Sequence, residues 1–175
     1  KIDDFIGWDF INNDNAPKDD NSHGTHCAGI AAAVGNNGIG IAGANWKAQI
    51  MPIKVFQSSG QGDAATIAQG ITYATENGAT VISMSFGSYG KSLAMQDALA
   101  NAYATAVLVA AAGNDALCIG PGLCPDKKRG APMYLGAFSF VVGVEANGIS
   151  GRAGFSNYDQ DGPVFSGYSN LLNYE

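Results

Sequence analysis

Apolar residues recur along this chain with two different spacings. Over 64–77, Ile67, Ile71 and Ala74 fall on one helical face, and Gly78 supplies a stop. Over 91–104, Leu93, Leu99 and Ala102 predict a second inward-facing helical stripe. The alanine-rich stretch 30–34 predicts a further helix. Short runs rich in β-formers at 48–56, 80–85, 106–112 and 137–144 predict strands. The run at 106–112 is apolar throughout, which predicts a strand buried on both faces. Strands alternating with helices imply right-handed crossovers, and hence an α/β fold with a parallel sheet flanked by helices.

In such sheets ligands gather beyond the carboxyl ends of the strands. Those ends carry polar or glycine-rich segments here, at 57–62, 85–87 and 113–115, and many of the 24 glycines sit at these junctions. Segment 57–64 lacks both the Gly-x-Gly-x-x-Gly pattern and a P-loop lysine, so a nucleotide-binding reading is set aside.

Composition narrows the classes. Hydrophobic residues make up 46% of the 175 and charged residues 14%, enough for a packed core and against disorder. The net charge is −6, and the one basic cluster is Lys127-Lys128-Arg129, so nucleic acid is an unsuitable partner. No apolar run reaches the roughly 18–20 residues of a membrane span. The sequence starts at Lys1 without a Met, and upstream residues are expected. Cys118 and Cys124 flank a Gly/Pro loop and either close a small disulfide, which suits an oxidising compartment, or remain two thiols. Cys27 is expected to be buried and inert.

The two histidines, His23 and His26, both lie in 21–29, where a loop becomes a helix. A histidine there can keep one ring nitrogen free for general-base work. Asn21 and Ser22 are placed to cap the helix, and Gly24 to let the backbone approach the imidazole. His26, one turn on, is expected to face the interior. Two histidines at i, i+3 without acidic neighbours make a poor zinc site.

Several motifs occur in one order: Gly7-Trp8-Asp9-Phe10, His23-Gly24-Thr25-His26-Cys27-Ala28-Gly29, and the Asn-Asn-Gly-Ile-Gly-Ile-Ala-Gly stretch at 36–43. Val-Ile-Ser-Met-Ser-Phe-Gly at 81–87, Ala110-Ala111-Ala112-Gly113-Asn114 and Phe155-Ser156-Asn157-Tyr158 follow. Together they resemble the subtilisin-like serine proteases, most closely the thermitase-like branch. The resemblance implies a subtilisin-like three-layer fold, with 1–175 as a partial catalytic domain incomplete at both ends. It implies an exported serine endopeptidase in which His23 is the base and Asn114 donates to the oxyanion. Peptide substrate would pair with Gly60, Gln61 and Gly62 on one side and Ser85, Phe86 and Gly87 on the other. Ala111, Ala112 and Gly113 would wall a primary pocket roomy enough for a sizeable apolar side chain. Ala64 stands where relatives often carry an aromatic residue beside the secondary pocket, arguing against a narrow preference there.

The resemblance also implies Ca²⁺. Asp9, Asn12 and Asp14, with the carbonyls of Ala16 and Lys18, match the spacing of one calcium loop, and hard oxygen donors suit that ion. A second site is implied at Asn37 with carbonyls of Val34, Ile39 and Ile41; Asp3 and Asp4 can end a further acidic loop. The family's aspartate-bearing strand and serine-bearing helix have no counterpart in 1–175. Ser85, Ser156, Ser166 and Ser169 do not sit at a comparable helix start. The chain is therefore expected to be inactive alone, completed by remaining segments of its parent chain. A catalytically inactive binding or assembly module is the alternative.

Overall fold

The computed structural model describes residues 7–118, 130, 133–149 and 151–158. Two compact units emerge, Lys1–Gly78 and Ala79–Glu175. In the first, β1 (Trp8–Asp9) is followed by α1 (His23–Ala32), β2 (Ile53–Lys54) and α2 (Ala64–Glu76). β1 and β2 pair in parallel, Trp8 opposite Ile53 and Asp9 opposite Lys54. The strand expected over 48–56 contracts to two residues. Pro52 has no N–H for a ladder and contributes only its carbonyl, which accepts from Trp8 N at 3.2 Å.

α2 begins where the Asp63 carboxylate accepts from Ala65 N and Thr66 N at 3.0 and 2.9 Å. It buries Ile67, Gly70, Ile71 and Ala74, so the stripe read from the sequence is the packed one. Gly70 lets the helix sit against β2, since a Cβ there would lie 2.5 Å from Val55 Cγ1. The stop at Gly78 is real, with φ +80.

α1 differs from expectation. It starts at His23 itself and buries none of its residues among those described. His26 is exposed rather than turned inward, and Cys27 is half-buried. A helix buries only the face that something covers, and spacing alone cannot say whether a cover is present.

In the second unit, β3 (Val81–Met84), α3 (Leu93–Tyr103), β4 (Val107–Ala111) and β5 (Val142–Val144) form a parallel sheet ordered β3-β4-β5 with α3 packed on β4. A small antiparallel hairpin, β6 (Asn147–Gly148) with β7 (Gly151–Arg152), follows. Ile82 pairs with Leu108, Met84 with Ala110, and Ala110 in turn with Gly143, giving one covered face on which Met84, Leu108 and Ala110 are buried. The opposite face carries Val81 and Val107, 58% and 55% exposed, with Val142 and Val144. The double burial expected for 106–112 is therefore corrected: β4 alternates, because among the described residues only one side of the sheet is packed.

In α3 the buried stripe is Met95, Ala98, Leu99 and Ala102, while Leu93 is 71% exposed at the first turn. The apolar run at 137–144 becomes a strand only from Val142. Ala137, Phe138 and Val141 are buried in turns, with Phe138 N bonded to Leu135 O at 3.1 Å. Core packing, rather than pairing, accounts for their apolar character. Cys118 is disulfide-bonded, and Cys27 is a free thiol. Cys124, the mate expected from the sequence, lies outside the described residues, as do Asp3, Asp4, Ser166 and Ser169.

Candidate active site

His23 is the first residue of α1 and is exposed. The turn before it is fixed by Asp19, which neither helix patterning nor motif matching had singled out. One Asp19 carboxylate oxygen accepts from Asn21 N and Ser22 N at 2.9 and 2.8 Å; the other accepts from Thr25 N and Thr25 Oγ1 at 2.7 and 2.5 Å. The expected cap is thus corrected. Ser22 holds the N-cap position in a left-handed conformation with no side-chain bond, and Asp19 serves the helix start from three residues upstream. The Thr25 hydroxyl, then the Asn21 and Thr25 amides, hold the Asp19 carboxyl far below the usual carboxylate range.

Gly24 faces this same carboxylate; a Cβ there would lie 3.8 Å from Asp19 Oδ2. His23 Nε2 stands 3.8 Å from Cys27 Sγ, one turn along the helix. Asn21 Nδ2 donates to Ser58 O at 2.8 Å, tying the histidine turn to the 57–62 loop. That loop closes through Gln57 N to Gln61 O at 2.9 Å and Gly60 N to Gln57 O at 2.8 Å. Gly60, Gln61 and Gly62 are all exposed on it.

In the second unit, Ser85, Phe86 and Gly87 leave the carboxyl end of β3 beside Ala112, Gly113 and Asn114, which leave β4. Ser85 and Gly87 are exposed, Phe86 and Ala111 half-buried, and Ala112 buried. Ser88 and Tyr134 exchange backbone hydrogen bonds that hold the 85–88 segment in place. Gly113 has φ +105, and Asn114 beyond it is exposed.

Behind this corner stands Asn157, fully buried. Its Oδ1 accepts from Asp115 N and Leu117 N, both at 3.0 Å. Its Nδ2 donates to Ala112 O at 3.0 Å and to the Tyr89 hydroxyl at 2.9 Å. Tyr89 in turn donates to the Asp115 carboxylate. Burial, reinforced by that bond to Asp115, pushes the Tyr89 phenol up. Ser156 is buried, its Oγ donating to Asn157 O and accepting from Ala146 N, so it is a structural hydroxyl.

The proposed metal loops have distinct characters. Asp9 is 1% exposed, and its carboxylate accepts from Ile11 N, Asn12 N and Asn12 Nδ2 at 2.8–2.9 Å. Burial would raise its pKa, but the Asn12 and Ile11 bonds and the charge of Lys54 together hold it below the usual value. Asp9 and Asp14 are bridged through their backbones, and the Asp14 carboxylate accepts from Ala16 N at 2.9 Å. With Asn12 and the carbonyls of Ala16 and Lys18, this is an oxygen-only donor set, which fits a hard cation. In the second loop Asn37 Oδ1 accepts from Ile39 N at 3.0 Å, and the set with Val34, Ile39 and Ile41 is entirely neutral. Among the described residues no cluster of three or more His, Cys, Asp or Glu is disposed to hold a metal, and no helix is long and apolar enough to cross a membrane.

Known proteins resemble this chain in both sequence and fold. The sequence model of the Subtilase family matches residues 1–165. Thermitase from Thermoactinomyces vulgaris is 51% identical over 154 residues, covering 87% of this chain and 51% of the relative. The cell wall-associated protease of Bacillus subtilis (strain 168) is 41% identical over 154 residues, 87% of this chain and 16% of the relative. Among solved structures, a cold adapted subtilisin-like serine proteinase superposes with a TM-score of 0.73 at 25% identity, over 91% of this chain and 53% of that one. The psychrophilic subtilisin-like protease Apa1 from the Antarctic psychrotroph Pseudoalteromonas sp. AS-11 gives 0.69 at 31%, over 89% and 34%. The chain thus has the subtilisin-like α/β fold and spans about half the length of thermitase.

Proposed function

The chain belongs to the subtilase family, and from that premise we propose that it supplies the base, the oxyanion donor and substrate-binding segments of a serine endopeptidase. One observation carries this reading. His23 and Asn114 are both exposed, each on backbone held by a satisfied polar side chain, Asp19 for the first and Asn157 for the second. His23 takes the proton from a serine hydroxyl as it attacks the scissile carbonyl and returns it to the leaving amine. Asn114 donates its side-chain N–H to the oxygen that becomes negative in the tetrahedral intermediate. Gly60, Gln61 and Gly62 form one peptide-facing segment, and Ser85, Phe86 and Gly87 the other. The small residues Ala111, Ala112 and Gly113 leave room for a large apolar side chain. The aspartate and serine come from further segments of the parent chain.

Ca²⁺ belongs to the same proposal. Asp9, Asn12, Asp14 and the carbonyls of Ala16 and Lys18 would hold one ion. Asn37 with the Val34, Ile39 and Ile41 carbonyls would hold another, its charge deficit made up from outside this set. When bound, the ion supplies loop rigidity rather than a chemical step. A disulfide at Cys118 supports export to an oxidising compartment.

The test uses the full-length protein that carries this segment, treated with a serine-directed phosphonate in the presence of calcium. Labelling that His23→Ala abolishes supports the reading, as does a loss on the order of 10²–10³ in kcat for Asn114→Ala. No labelling of the wild type overturns it in favour of an inactive binding module.

A further inference from the structure

The amide of Asn157 makes four hydrogen bonds, three of them to the backbone on either side of Asn114 and the fourth to Tyr89. Oδ1 gathers the N–H groups of Asp115 and Leu117 at 3.0 Å each. Nδ2 holds Ala112 O at 3.0 Å, on the other side of Asn114 in sequence, and the Tyr89 hydroxyl at 2.9 Å. The backbone repeats the arrangement, since Asn157 N donates to Gly113 O at 3.0 Å. Gly113 at φ +105 passes so close that a Cβ there would lie 2.3 Å from Asn157 Nδ2. Residues 112–117 are therefore wrapped around one buried side chain, while Asn114 itself projects to solvent.

We infer that Asn157 is a positioning residue for the reaction: it sets the place of the Asn114 side chain by fixing the loop on both sides of it, and Tyr89 braces it from the β3 side. This rests on the reading of Asn114 as oxyanion donor. Nothing in a polar amide that is merely packed requires its bonds to bracket one exposed residue. The physical consequence is specific. An oxyanion donor acts on charge that appears only in the transition state, so misplacing it lowers kcat and leaves ground-state binding nearly intact.

Asn157→Asp keeps the size and the Oδ1 acceptor but replaces both N–H donors by an oxygen facing Ala112 O. In the full-length protein it is expected to lower kcat by on the order of 10- to 100-fold, with a smaller rise in KM because Ala112 and Gly113 also wall the proposed pocket. In an Asn114→Ala background the same change is expected to cost less than about threefold, because the group it positions is already gone. Tyr89→Phe removes the hydroxyl that bonds both Asn157 Nδ2 and the Asp115 carboxylate, and leaves the three loop bonds. Its smaller kcat loss, about two- to fivefold, should likewise vanish without Asn114. If Asn157→Asp does not accumulate as folded protein, Tyr89→Phe decides alone. Equal fold-losses with and without Asn114 overturn the inference, as does a rise in KM at constant kcat. Either result leaves the peptidase reading standing, whereas an inactive wild type removes both.

Discussion

Replacing Asp19 tests whether the start of α1, and with it His23, is held by a residue four positions upstream. Asp19→Ala removes an acceptor for three backbone amides and one hydroxyl. Loss of one helix cap costs about 0.5–2 kcal/mol, and a net hydrogen bond about 1 kcal/mol. These bonds are solvent-exposed and share one carboxylate, so they do not add in full, and about 2 kcal/mol is expected for Asp19→Ala. Asp19→Asn retains one oxygen, enough for Asn21 N and Ser22 N, and is expected to cost about half as much, about 1 kcal/mol. The pH dependence follows from the lowered pKa. Ionised Asp19 stabilises the fold fully above its ordinary value of 3.8, and that contribution is lost as pH falls from there through the folded-state value. Urea denaturation followed by circular dichroism should separate wild type from Asp19→Asn at about pH 7 and bring them together in strong acid. Equal stability at neutral pH, or a gap unchanged by acid, would refute the assignment of the helix start to this carboxylate.

Leu99→Ala, at a position 0% exposed, is expected to destabilise by about 2–5 kcal/mol by calorimetry, while Leu93→Ala, 71% exposed, should stay within about 0.5 kcal/mol. Gly70→Ala should lower the melting temperature despite the better helix propensity of alanine, because the new Cβ meets Val55; overpacking of this kind costs about 1–3 kcal/mol against a gain near 1. The Tyr89 phenol should ionise above its ordinary value of 10.0 in a difference-absorbance titration, and Asp115→Asn should shift it back down. Its stabilising contribution is present below the ordinary value and fades as pH rises through the raised one. Chelation with EGTA should lower the thermal midpoint of the wild type and change that of Asp14→Ala much less; equal shifts would sink the calcium loop at 9–18.

The helices α2 and α3 were legible in the sequence because their apolar residues recur every three or four positions and their faces are covered. The order of β3, β4 and the connecting helices was legible for the same reason. Strand lengths were not, since Pro52 ended pairing that its apolar neighbours suggested, and Phe138 is apolar for packing in a turn. His26 and Val107 depart from expectation for a common reason: neither helical spacing nor an apolar run says whether a face is covered. Asp19 carried no readable signal, because its partners depend on a left-handed Ser22 that no local rule predicts. Asn157 carries one, since an amide inside the Phe-Ser-Asn-Tyr stretch needs hydrogen-bond partners at both ends once buried.

The row of valines on the open side of the sheet bears on how this stretch behaves in the hand. Val81, Val107, Val142 and Val144 present branched apolar side chains to water, of the kind that drives clumping during synthesis. Sealing such side chains away from solvent releases about 1.5–3 kcal/mol for each one fully buried. Produced by itself, this stretch should therefore bind hydrophobic dyes and lean on chaperones, and its yield should rise when those four positions are made polar.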